Sequence, residues 1–158
     1  MNNMTRLPEE NIPENHVAGI IGAVVCGLLG AVLYVLLAAL GFIAGISGFV
    51  AFIAAYFGYK KLAGVEKSVT GIVVSVIVTL LMLAIGEYLS LGWAIYDAAK
   101  DAGASLSLMD AIGEVPEYLS YSDVKSAVIK DLAIGLFLTA LATVSQVKSA
   151  FGEAKKSK

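Results

Sequence analysis

The feature that most constrains the fold is an uncharged run from Val17 to Tyr59, which also contains no proline. One membrane-spanning helix takes about 20 residues, because a helix rises 1.5 Å per residue and the hydrocarbon core is roughly 30 Å thick. The run is about twice that length, and a single helix would expose some 30 Å of apolar surface to water. We therefore predict two spans with a reversal near Gly41, where glycine permits the backbone angles of a tight turn.

Composition supports a membrane protein and excludes an ordinary soluble domain. The chain is 58% hydrophobic and 15% charged, with a mean hydropathy of +0.82. Two further apolar runs follow the first pair, so the predicted fold class is an all-α integral membrane protein with four transmembrane helices in a single domain, 1–158. The predicted spans are about 17–40, 43–59, 70–91 and 128–147.

Basic residues predict the topology, since Lys and Arg near span ends stay in the cytoplasm. With a reversal at Gly41, eight of them share one side: Arg6, Lys60, Lys61, Lys67, Lys148, Lys155, Lys156 and Lys158. The connection after span three is acidic and is predicted to lie outside, which makes both termini cytoplasmic in the plasma membrane. The N-terminus does not resemble a secretion signal. We predict instead that Asn11 caps span one, with Pro13 in its first turn.

Small residues recur in the first hairpin at spacings that place them on one helix face. Such a face lets two helix backbones approach closely in lipid. The predicted helix-packing face comprises Gly19, Gly22, Ala23, Cys26, Gly27, Gly30, Ala31, Gly41, Gly45 and Gly48. Packing of spans one and two within one chain is favoured, packing against a second copy is the alternative, and a glycine-lined pore is less favoured than either.

Ionisable residues inside spans often mark transport, and Glu87 is the one acid in an otherwise apolar span. Its position near Trp93 places it close to the outer interface, so a structural carboxylate is favoured over an ion-binding one. Lys130 enters span four at a similar depth and is its predicted partner, which makes Glu87 and Lys130 the candidate polar site.

The outer segment, 92–127, is predicted to form short amphipathic helices along the membrane surface. Gly103 is expected to end the first, Ser107 to cap the second and Pro116 to break or kink it, while Ser122 is expected to cap the helix that becomes span four. These helices form either a lid over the spans or a binding surface for an extracytoplasmic partner.

Chemical motifs give no sign of an enzyme. Cys26 is the single cysteine and His16 the single histidine, so neither an intrachain disulfide nor a metal cluster is expected. No catalytic, cofactor-binding or metal site is predicted, and no basic patch is large enough for nucleic acid. The expected partners are the lipid bilayer and, by helix packing, a second copy or another membrane protein.

Four stretches in order, "LGFIAGISGF", "YFGYKKLAG", "VPEYL" and "VIKDLAIG", resemble a group of small four-span membrane proteins from Gram-positive bacteria. The resemblance covers nearly the whole chain and implies a bacterial plasma-membrane location, but it assigns no functional residue. Two functions therefore remain open: an interaction or scaffolding component that uses small-residue helix packing, and a small oligomeric transporter or channel for an ion or small solute.

Overall fold

Five helices follow one another in the part of the chain that the structure describes. The structure is a computed structural model and describes residues 13–40 and 46–152. The helices are α1 (His16–Ala39), α2 (Ile46–Ala63), α3 (Val69–Asp101), α4 (Leu108–Tyr118) and α5 (Ser122–Gly152). The predicted turn residues Gly41 and Gly45 lie outside the described residues.

The long helices alternate in direction. The Asn15 amide, at the start of α1, donates a hydrogen bond to the Ala63 carbonyl at the end of α2 at 3.2 Å. At the same end of the bundle, Val147 of α5 packs against the cluster that contains Tyr56 and Ile72. The start of α1, the α2–α3 connection and the end of α5 therefore share one end of the bundle, called the basic end here because it carries Lys60, Lys61, Lys67 and Lys148.

Three helices are long and apolar enough, by length and composition, to cross a membrane: α1, α3 and the Ser122–Lys148 part of α5. Their outward surfaces are apolar, and α5 is the least covered, with 17% of its apolar window buried against 44% for α3. α2 is shorter, with 18 residues, and ends in Lys60 and Lys61, which lower its mean hydropathy. The apolar sequence 41–45 before it lies outside the described residues.

The first helix begins later than predicted. Asn15, not Asn11, is the N-cap of α1, and its side-chain oxygen accepts a hydrogen bond from the Ala18 amide at 3.1 Å. Pro13 precedes the helix rather than lying in its first turn, and Asn11 is outside the described residues.

The third helix is longer than predicted. Span three was expected to end near residue 91, but α3 runs without interruption to Asp101 and closes at Gly103, which has a left-handed φ of +74°. Thirty-three residues correspond to about 50 Å, well beyond the roughly 30 Å hydrocarbon core. The last turns of α3 are therefore free to extend past the apolar run.

The predicted helix starts after α3 are confirmed. Ser107 caps α4 by accepting a hydrogen bond from the Asp110 amide at 3.2 Å, and α5 begins at Ser122, which is its first helical residue rather than its predicted cap. Pro116 does not break α4, because it lies in the last turn and the helix ends two residues later. α4 packs on the end of α3 through a small cluster in which Ile95, Ala111 and Val115 are buried.

Candidate functional site

The small residues of α1 meet those of α2 at backbone distance. A side-chain carbon added at Gly22 would strike the Gly58 carbonyl, and one added at Gly30 would strike Ala51. Both pairs lie along one face of α1, two helical turns apart. Close approach of this kind replaces the hydrophobic force that lipid cannot supply, through van der Waals packing of the two backbones.

The same face of α1 reaches α3. A carbon added at Gly27 would lie 2.8 Å from Val78 Cγ1, and α3 contributes Val78 and Met82 to the cluster around Ala23 and Ala31. On the other side of α2, a carbon at Gly48 would lie 2.8 Å from the Gly135 carbonyl of α5. Of the predicted packing face, seven described residues are buried and Cys26 is half-buried: Gly19, Gly22, Ala23, Gly27, Gly30, Ala31 and Gly48 are the buried ones.

A hydrogen-bond network lies at the basic end and joins three elements. The Glu14 carboxylate accepts hydrogen bonds from the Tyr59 hydroxyl, at 2.9 Å, and from the Ser68 hydroxyl. His16 Nδ1 lies 3.0 Å from the Tyr59 oxygen, and Ser68 Oγ in turn accepts the Gly71 amide at 2.8 Å. We call Glu14, His16, Tyr59 and Ser68 the Glu14 network.

Proton positions in the Glu14 network follow from donor counting. Tyr59 has one hydroxyl proton and donates it to Glu14, so its oxygen must accept from His16, whose Nδ1 therefore carries a hydrogen. The hydrogen bond from Ser68 lowers the pKa of Glu14, partial burial opposes the shift, and Tyr59 and His16 lower that pKa further. The network thus holds Glu14 as a carboxylate.

Glu87 is paired at the opposite end of the bundle, and its partner is a tyrosine. The Tyr34 hydroxyl donates a hydrogen bond to Glu87, and a carbon added at Gly86 would lie 2.8 Å from the Tyr34 side chain. Tyr34 is completely buried between α1 and α3, whereas Glu87 is half-buried. A buried tyrosine hydroxyl needs a partner, and the half-buried carboxylate supplies one.

The predicted partner of Glu87, Lys130, is not the one that the structure gives it. Lys130 is exposed, and the charged group that α5 places near Glu87 is its neighbour Asp131. A cavity of about 100 Å³ lies beside Glu87, between α3, α4 and α5, with Leu91 and Leu132 among its apolar walls.

Sequence reasoning missed Tyr34, Tyr59 and Ser68 as polar partners. One signal was available for Tyr34, because a tyrosine in the middle of an apolar span carries a hydroxyl that must find an acceptor. No local pattern points from Glu14 to Tyr59 or Ser68, which lie 45 and 54 positions away.

Comparisons of the chain with protein-family models, curated proteins and solved structures find no match. The resemblance to the Gram-positive group therefore stays a prediction.

Proposed function

We propose that the protein is a four-span component of the bacterial plasma membrane that acts in interaction or scaffolding, with both termini in the cytoplasm. The charge distribution supports this orientation, because four of the seven described lysines, Lys60, Lys61, Lys67 and Lys148, lie at the basic end, while acids outnumber bases at the opposite end. The network around Glu14 also joins the start of α1 to that end.

In this function α2 also crosses the membrane, in addition to α1, α3 and α5. In its support, α2 lies against α1 both at Gly22–Gly58 and at Gly30–Ala51, positions about 12 Å apart along the α1 axis. A helix that stays in backbone contact with a membrane-crossing helix over that distance runs beside it through the same layer.

The observation that carries the scaffolding role is the backbone contact between Gly22 and Gly58. It supports a bundle whose first two helices leave no room between them for a solute path. The packing face is then used inside the chain, and the surfaces left for a partner are the exposed apolar sides of the spans and the acidic end of α3 with α4.

Reconstitution tests this function directly. Purified protein in liposomes loaded with a pH-sensitive or potassium-sensitive dye should give no flux under a membrane potential. In nanodiscs, site-specific cross-linking should show whether the exposed side of α5, for example at Leu136 or Phe137, contacts another protein. Flux by the wild-type protein would contradict the scaffolding role.

The alternative is a small oligomeric transporter or channel for an ion or small solute. Its support is the half-buried Glu87 beside a cavity of about 100 Å³, together with the buried Ser47 and Ser75 hydroxyls, which have no hydrogen-bond partner among the described residues. Polar groups of this kind inside spans are typical of ion pathways. A flux that disappears in Glu87→Gln and persists in Glu66→Gln, an exposed carboxylate of the α2–α3 connection, would favour this function.

A further inference from the structure

A groove of about 390 Å³ lies where the last turns of α3 meet α4. Its lining includes Ile95, Ala98, Ala99, Ala102, Glu114 and Tyr118. Ile95 belongs to the buried contact with α4, so the two walls of the groove are fixed to each other. The volume lies within the roughly 300–1,000 Å³ that ligand-binding clefts occupy.

The groove exists because α3 carries alanines there. Ala98, Ala99 and Ala102 follow helical spacing, and their side chains are too short to fill the space beneath α4. A floor of methyl groups accepts apolar side chains and offers no hydrogen bonds. Selectivity must therefore come from the charged groups around the groove.

Those groups are predominantly acidic. Between Gly92 and Tyr121 the sequence has five acids, Asp97, Asp101, Asp110, Glu114 and Glu117, and one base, Lys100. All six of these side chains are exposed. Glu114 lies in the groove wall on α4, with Asp110 and Glu117 about one turn away on either side, and Asp101 follows Ala98 by three residues on α3, so the field around the apolar floor is negative.

We propose that this groove docks a basic, amphipathic peptide segment of an extracytoplasmic protein. One or two large apolar side chains of the segment enter above Ala98 and Ala102, and flanking Lys or Arg residues pair with Asp101, Asp110 and Glu114. This inference rests on the proposed interaction role and on this end of the bundle facing outward. An anionic lipid surface is disfavoured as the occupant, because it would meet a negative field.

Binding to a designed peptide tests the groove. The probe is a fluorescent helical peptide with Leu at every third or fourth position and Lys elsewhere, titrated into full-length protein in nanodiscs of neutral lipid. Ala99→Phe fills the groove without changing charge and should weaken binding about tenfold or more. Ala94→Phe, an exposed position on α3 outside the groove, is the matched control and should bind like the wild type.

Charge reversal keeps the test independent of folding defects in Ala99→Phe. Glu114→Lys should weaken binding of the Lys peptide and strengthen binding of a peptide in which Glu replaces each Lys. Both effects should shrink as the salt concentration rises. Equal binding of the Lys peptide by wild type, Ala99→Phe and Glu114→Lys would overturn the docking role of the groove. Binding of anionic but not neutral vesicles by the wild type in neutral nanodiscs, without peptide, would overturn it in favour of a lipid surface.

Different results would overturn the docking groove and the interaction role. No peptide binding, with liposomes that show no flux, removes the groove and leaves the interaction role in place. Flux in liposomes removes the interaction role whatever the peptide does.

Discussion

Tyr34 and Glu87 lie 53 positions apart in the sequence, and the tyrosine hydroxyl donates a hydrogen bond to the carboxylate across the contact between α1 and α3. The tyrosine is fully buried, and Gly86 leaves the space that its ring occupies. The pair therefore fixes the separation and rotation of two helices at the end of the bundle opposite the basic end.

Removing the Tyr34 hydroxyl should lower the stability of the protein more than exchanging Glu87 for its amide. Tyr34→Phe leaves the half-buried Glu87 without its donor and should destabilise the protein by about 1–3 kcal/mol. Glu87→Gln keeps an acceptor oxygen for the tyrosine and should cost less than about 1 kcal/mol. Thermal unfolding in detergent, including the double variant, measures the coupling between the two residues. Strictly additive effects would show that the two side chains do not interact.

Two glycine substitutions should change the stability in opposite directions, one at the contact between α1 and α2 and one in the open part of α4. Gly22→Ala places a methyl group against the Gly58 carbonyl and should destabilise the bundle by about 1–3 kcal/mol. Gly113→Ala adds the same methyl group within α4, where nothing lies within 4 Å, and should stabilise the protein by up to about 1 kcal/mol. Unfolding temperatures of both variants provide the comparison, and a neutral Gly22→Ala would argue against backbone contact there.

Acidification should weaken the Glu14 network. The pKa of Glu14 is lowered from 4.5 in the folded protein, chiefly by the Ser68 hydrogen bond. The unfolded chain therefore takes up a proton first, so the stabilisation is complete above about pH 4.5 and is lost as the pH falls through the lowered pKa. Glu14→Gln should flatten this part of the profile of unfolding temperature against pH. Glu66→Gln, at an exposed carboxylate near the same end of the bundle, should keep the wild-type profile.

The orientation of the bundle can be tested with single cysteines in a Cys26→Ala background. Ser107→Cys, at the start of α4, should react with a membrane-impermeant maleimide in intact cells. Glu66→Cys, in the α2–α3 connection, should react only after the cells are permeabilised. Labelling of Glu66→Cys but not Ser107→Cys in intact cells would place α4 and the end of α3 in the cytoplasm. It would then exclude the extracytoplasmic partner proposed for the groove.

Local patterns predicted local features well. The spacing of Gly19, Ala23 and Gly27 marked a face that the structure buries, and Ser107 followed three residues later by Asp110 marked a helix start. Both depend on the geometry of one helix, so neighbouring residues contain the information.

Polar pairing between helices was not predictable in the same way. Sequence reasoning gave Glu87 the nearest opposite charge at similar depth, Lys130, because charge is visible in a sequence and the rotation of α5 is not. The end of α3 was also placed too early, at Leu91, since an apolar run ends there while helical hydrogen bonding continues to Asp101. Hydropathy indicates which residues are apolar enough to lie in lipid, but it does not show where helical hydrogen bonding stops.

The uninterrupted length of α3 links the bilayer to the groove mechanically. The ten residues from Gly92 to Asp101 extend about 15 Å beyond the apolar run, so a 10° change in helix tilt would carry their far end sideways by about 3 Å. Helices change tilt when the hydrocarbon layer thins or thickens. Because α4 is packed on this extension, membrane thickness becomes a variable that sets the lateral position of the acidic groove.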